Sequence, residues 1–259
     1  MPPVHPEPYS RAEAASWDSY YGGQESGKGL LYRRRLACAL ELLDRHLQPG
    51  GGPVADLGCG AGQLTAELLS RGFDVTAVDY SAEMLRLTEQ KLAGRQHAAN
   101  KVCFLCADLN SYELAPAHFA AVCALGCLEF LRDVPGSIAR LGSGIRPGGY
   151  FLLSMPNVIS PFVWPERCAR WLLRMRRSQV APAAHRPMSL ARVRAVMGKN
   201  RMFCVEARFT FPATLIGGVC FPPIRLLRRI PGERAYPFAP LLANTWVALF
   251  QKTEVGPVA

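Results

Sequence analysis

Apolar positions change their period several times along the chain, and each change predicts an element. Leu36, Leu40, Leu43 and Leu47 recur at spacings of four, three and four, which places them on one face of a helix over 29–47. Pro49-Gly-Gly-Gly-Pro53 stops that helix. The chain then alternates short apolar runs with helical periods. PVADLG reads as a buried strand, Gln63–Arg71 as a helix ended by Gly72, and Phe73–Asp79 as a second strand. Ser81 is placed to cap a helix at 82–93. Lys101–Ala107 and Phe119–Leu125 are strands three and four, and Val134–Gly142 is a helix. Gly149–Met155 is strand five after a turn at Arg146-Pro-Gly-Gly. Ser189 precedes a helix at 190–199, then strands at 202–210 and Asn244–Lys252. This rhythm predicts an α/β fold with a doubly wound, mostly parallel sheet. Ligands of such sheets sit beyond the carboxyl ends of the strands.

At 259 residues the chain suits one large domain. Residues 1–47 are an N-terminal arm and helix, 48–157 the core, 158–243 a lid region with a late strand, and 244–252 the last strand. The segment 158–184 reads as an insertion with a helix near 165–177, and 211–243 mixes proline with apolar residues. No apolar run reaches the roughly 20 residues of a membrane span. The opening residues lack the charged and apolar regions of a secretory signal, so a cytoplasmic setting is expected. The nine cysteines are accordingly expected as free thiols. Cys103 and Cys106 form one C-x-x-C, but alternation sends them to opposite faces of a strand, and Cys123 and Cys127 are one residue too far apart for the usual zinc spacing. Buried structural thiols are expected, and no metal.

The stretch VADLGCGAG carries the chemistry. A phosphate-binding loop would follow its last glycine with lysine, and none follows here. The dinucleotide fingerprint would place its third glycine at 63, which is Gln. The pattern is Asp56-x-Gly58-x-Gly60-x-Gly62, joined by Val78-Asp79 at the end of strand two and Cys106-Ala107-Asp108 at the end of strand three. Over 54–157 this set resembles class I S-adenosylmethionine-dependent methyltransferases. The resemblance implies a seven-stranded sheet of that type, with S-adenosylmethionine as methyl donor and S-adenosylhomocysteine as product.

Physical chemistry assigns the parts. A glycine-lined turn lets backbone amides approach a zwitterion without Cβ atoms in the way. Asp79 can accept both ribose hydroxyls, and Asp108 an exocyclic adenine amine. Tyr80, Met84, Ala107 and Leu109 flank the adenine position. By family analogy Asp56 lies near the methionine amino group, directly or through water, while Cys59 is the loop's small packing residue. Leu125 and Gly126 open the segment beneath the sulfonium. Helix 29–47 is expected to fold over the cofactor. Among arginines 33–35, Arg33 is the residue favoured to pair with the methionine carboxylate, against a solvated basic turn. Tyr20 or Tyr21 is a candidate to close the site.

The acceptor is less legible, because in-line methyl transfer asks mainly for orientation and exclusion of water. The Asn/Asp-Pro-Pro-aromatic signature of nucleic-acid amine methylation is missing from LGCLEF, and no cysteine follows a proline. His185 and Glu129 are the candidate general bases. The net charge of +10 is largely arginine, including Arg167, Arg170, Arg174 and Arg177 beside Trp171, Leu172 and Met175. A helix of that kind fits an anionic membrane surface or a lid with a solvated basic face; RNA fits less well, since no RNA-binding module is found. The expected activity is methylation of an O or N atom of a small, hydrophobic molecule of lipid, quinone or polyketide type. An RNA methyltransferase and a non-catalytic cofactor-binding scaffold are the alternatives, and the oligomeric state is left open.

Overall fold

The computed structural model describes residues 27–93, 101–160, 185–210, 214–216, 219–221, 241 and 243–253. Tyr20, Tyr21 and the arginine-rich segment 165–177 lie outside them. Helix α1 (Gly27–His46) leads into strand β1 (Val54–Leu57), helix α2 (Gln63–Ser70), β2 (Val75–Asp79), α3 (Ala82–Ala93), β3 (Val102–Cys106) and β4 (Phe119–Leu125). A single 3-10 turn (Leu128–Phe130), α4 (Val134–Ser143) and β5 (Ile145–Pro156) follow. From residue 190 onward come α5 (Leu190–Lys199), β6 (Met202–Thr210), the short strands β7 (Thr214–Ile216) and β8 (Val219–Phe221), and β9 (Thr245–Lys252).

Seven strands form one sheet in the order β3-β2-β1-β4-β5-β9-β6, and β7 pairs with β8 in a separate ribbon. β1 to β5 are parallel, while β9 runs antiparallel to both β5 and β6. The central strands are buried on both faces, so their sequences read as continuous apolar runs. Ala55, Val122, Leu153 and Ala248 turn toward α4 and α5, where they pack with Ile138, Leu141, Val193 and Met197. Val54, Cys123, Leu152 and Val247 turn the other way, against Leu42 and Leu43 of α1 and Leu68 and Leu69 of α2. The α/β doubly wound architecture and the seven strands are therefore as expected.

Three local expectations change. The Arg146-Pro-Gly-Gly segment is not a turn before β5 but an irregularity within it: Ile145 pairs with Phe119, and pairing resumes at Tyr150 with Ala121. The β7–β8 ribbon falls in the proline-rich stretch that showed no period. Cys103 and Cys106 are exposed rather than buried, because β3 is an edge strand. Ser81 and Ser189 do cap their helices, accepting from Met84 N and Arg192 N at 3.3 Å each. Among the described residues no helix is long and apolar enough to cross a membrane.

Helix α1 is fixed across the sheet by charge. Arg208 of β6 donates through Nη1 to Glu41 and, at 2.9 Å, through Nε to Glu206, while Arg45 Nη1 reaches Glu206 Oε1 at 3.3 Å.

Candidate functional site

The carboxyl ends of β1, β2, β3 and β4 lie side by side, and the expected residues gather there. The backbone turns away from β1 at Gly58, whose N–H donates to Val78 O at 2.7 Å; Cys59 N–H donates to the same carbonyl at 3.1 Å. This pins the glycine loop to the end of β2. Gly62 then starts α2 in the left-handed region, φ +73°, and a Cβ there would run into Thr88 of α3. Gly60 differs: at φ +55°, a Cβ added to it would meet nothing within 4 Å. That glycine faces open space.

Asp79 closes the loop. Its Oδ2 accepts from Gly60 N–H at 2.8 Å and its Oδ1 from Ser81 N–H at 2.9 Å. Burial pushes its carboxyl above the usual carboxylate range, against the pull of the Ser81, Gly60 and Tyr80 amides. A carboxylate oxygen can accept more than one hydrogen bond, so the carboxylate can hold these amides and still accept from a further donor.

Asp56, expected near the methionine amino group directly or through water, lies behind the glycine loop. It is only 2% exposed and accepts Thr65 Oγ1–H at 2.6 Å. Burial raises its pKa to about 7, opposed by the Thr65 hydrogen bond and assisted by the nearby Asp79 charge. Asp56 thus supports the loop from behind. Cys59 is also buried, and burial followed by the Asp56 and Asp79 charges lifts its thiol well above its ordinary value.

Where the ends of β2 and β3 meet, Ala107 N–H donates to Asp79 O at 3.0 Å, which sets the two ends together. Tyr80, Ala107 and Asp108 are partly exposed around this slot. Met84 and Leu109, at 3% and 6% exposure, back the slot instead of lining its open side: Met84 packs on Ala61, and Leu109 joins the core containing Leu128 and Leu131. Asp108 Oδ1 accepts Asn110 N–H at 2.9 Å and Asn110 Nδ2–H at 2.7 Å.

At the end of β4, Leu125, Gly126 and Cys127 are partly exposed. The Cys127 thiol donates to Leu57 O at 3.1 Å, and burial, with Glu129 the next contributor, holds it protonated. It is therefore a poor nucleophile. A Cβ on Gly126 would collide with the guanidinium of Arg35, so Arg35 of α1 reaches this edge. Two helical positions turn a side chain by about 200°, which carries Arg33 to another face. Tyr32 lies under Arg35, 4.9 Å from ring centre to Cζ.

The two candidate bases are brought together. Arg186 N–H donates to Glu129 O at 2.6 Å, and the His185 ring stands 5.2 Å from that of Phe130. Glu129 is buried and His185 partly exposed. Sequence reasoning singled out neither Asn110, which belongs to no motif, nor Arg35, whose placement turns on the phase of a helix that carries three consecutive arginines at 33–35.

Residues 54–149 match the family model described as "Methyltransferase domain". An uncharacterised methyltransferase of Mycobacterium tuberculosis (strain ATCC 25618 / H37Rv) is 37% identical over 120 residues, covering 46% of this chain and 57% of that protein. A ubiquinone biosynthesis O-methyltransferase of Xanthomonas axonopodis pv. citri is 31% identical over 122 residues, 46% of this chain and 48% of its own length. The chain thus spans about half the length of these curated relatives. Among solved structures, magnesium protoporphyrin IX methyltransferase from Synechocystis PCC 6803 with bound S-adenosylhomocysteine shares the fold at TM-score 0.63 and 16% identity, over 92% of this chain and 94% of that one.

Proposed function

We propose that this chain, a member of the class I S-adenosylmethionine-dependent methyltransferases, transfers a methyl group to an oxygen or nitrogen atom of a small, hydrophobic acceptor. The observation that carries the reading is the cradle at the end of β1: a loop pinned to Val78 O, an Asp79 carboxylate held by the Gly60 and Ser81 amides, and open space over Gly60. A glycine turn beside a half-buried carboxylate fits a ribose and an amino-acid tail, and the fit needs no metal ligand.

In this reading Asp79 binds the ribose hydroxyls, and Gly58–Gly62 present backbone amides to the methionine portion, with Asp56 steadying the loop through Thr65. Arg35 meets the carboxylate. Asp108 accepts the adenine amine between Tyr80 and Ala107. Once bound, the sulfonium supplies the electrophilic methyl group. Leu125, Gly126 and Cys127 wall off water beneath it, and the protonated Cys127 thiol stays out of the reaction. His185, beside Phe130 at the mouth, takes the acceptor proton, with Glu129 below it. In-line displacement then needs only orientation and a dry site.

A small acceptor with apolar character is supported by Phe130 and Ile159, which stand exposed past the ends of β4 and β5, and by the quinone-pathway name of one relative. The arginines at 165–177 lie outside the described residues; their proposed role is peripheral contact with anionic membrane.

Calorimetry with S-adenosylhomocysteine tests the site. The wild type should bind, and Asp79→Ala should weaken binding at least about a hundredfold; equal binding by the two sinks the assignment. Incubation with labelled S-adenosylmethionine and fractionated extract, followed by mass analysis, should then yield a methylated product soluble in organic solvent. Label appearing in RNA instead would overturn the acceptor class.

A further inference from the structure

We infer that Asn110 is the positioning residue that presents Asp108 to the adenine and couples it to the acceptor-side segment 185–189. The inference rests on the cofactor reading above. Hydrogen bonds of Asn110 to described residues point in two directions. Its backbone N–H and its Nδ2–H both donate to Asp108 Oδ1, at 2.9 and 2.7 Å. With that oxygen engaged twice, Oδ2 is left to meet an exocyclic amine, and the carboxylate is fixed before the ligand arrives. Preorganised acceptors of this kind discriminate more sharply than mobile ones.

In the other direction, Asn110 Oδ1 accepts Arg132 N–H at 2.9 Å. Arg132 O in turn accepts from the Arg186 guanidinium, and Arg186 N–H donates to Glu129 O at 2.6 Å. An unbroken path of hydrogen bonds therefore runs from the adenine carboxylate to the residue next to His185. Arg140 of α4 holds the same turn from below, donating to Leu109 O at 2.7 Å and to Tyr112 O. The turn at 108–112 is thus anchored at its base, and its upper side joins both substrates. Adenine binding that draws on Asp108 is felt at 132 and 186, so the donor organises the acceptor wall before the acceptor enters.

The test uses calorimetry with two ligands: S-adenosylhomocysteine and its 6-deamino analogue, in which hydrogen replaces the adenine amine. The wild type should prefer the natural ligand by about tenfold or more. Asn110→Ala should lower that preference to about threefold or less, while binding of the deamino ligand stays within about twofold, which also reports an intact fold. Asn110→Asp keeps the acceptor for Arg132 N–H and the backbone N–H donor to Asp108 but loses the Nδ2–H donor, and should lose the preference at least as fully. Equal weakening of both ligands in Asn110→Ala would mean a purely structural role and overturn the inference. A wild type that binds both ligands alike would remove the Asp108–adenine contact and the inference with it, leaving the methyltransferase reading standing. A wild type that binds neither would remove that reading too. Hydrogen exchange reads the second arm: S-adenosylhomocysteine should slow exchange at Arg132 and Arg186 in the wild type and not in Asn110→Ala. Protection surviving in the variant would overturn the coupling.

Discussion

Gly60 and Gly62 share nearly the same backbone twist, φ +55° and +73°, yet their substitution should fail in different ways. A Cβ on Gly62 meets Thr88, whereas one on Gly60 meets open space. Gly62→Ala is expected to lose about 2 kcal/mol or more of stability, from left-handed strain plus overlap with α3. Gly60→Ala should lose only about 1 kcal/mol and yet bind S-adenosylhomocysteine at least about tenfold more weakly. Urea unfolding and calorimetry on the two variants check the contrast. Asp56 gives a pH signature. Its folded pKa of about 7 lies above its ordinary 3.8, so between these values the unfolded chain releases a proton that the folded chain retains. Stability from this group is full below about pH 4 and falls as pH rises to about 7, by an amount on the order of 4 kcal/mol. Asp56→Asn keeps an acceptor for Thr65 and should flatten that slope, gaining stability at pH 8 and little at pH 4, as measured by urea unfolding at both. The carboxylates and glycines of the loop were legible in the sequence because each sits at the end of a strand that periodicity predicts. The contacts of Asn110 and Arg35 were not, since they depend on what a turn or a helix face meets across space.

Helix α1 owes its place to two kinds of contact, and they can be separated. Its leucine face packs on β5 and β9, and its polar flank is tied through Glu41 and Arg45 to β6. Arg208, buried beneath Glu41 and beside Glu206, joins the two elements. Glu41 is well exposed, so water compensates part of any loss. Arg208→Ala is expected to lower stability by about 1–2 kcal/mol. If the tie also sets the phase of Arg35, S-adenosylhomocysteine affinity should fall too, while Arg208→Lys should recover part of the stability but less of the affinity, because a lysine cannot bridge two carboxylates with a planar fork. Calorimetry beside thermal unfolding would show both. At this scale the sequence was most informative: α3, α5, β4 and β6 have the bounds that their periods and capping serines predict. It failed where pattern alone is ambiguous. Pro147 and the glycines after it read as a turn, although the chain continues through them as an irregular strand, and alternation in β3 could not reveal that its outer side has no neighbour.

For the molecule as a whole, the placement of β9 decides how the parts cohere. Among the described residues β6 joins the sheet only through β9, and Trp246, Val247, Ala248, Leu249 and Phe250 are all fully buried. A chain ended before Thr245 should therefore show no cooperative unfolding transition, while one ended after Thr253 should unfold as sharply as the full chain; circular dichroism against urea distinguishes them. Pairing of β9 with β5 spans a long stretch of sequence, and such topologies fold slowly. The order of synthesis adds a hazard. β1 to β5 leave the ribosome first and can assemble, but the free edge of β5 must then wait while residues 157–244 emerge. During that interval an apolar strand with unpaired amides is open to any other chain. The cell's holding chaperones, rather than the finished fold, would then govern how much active protein accumulates.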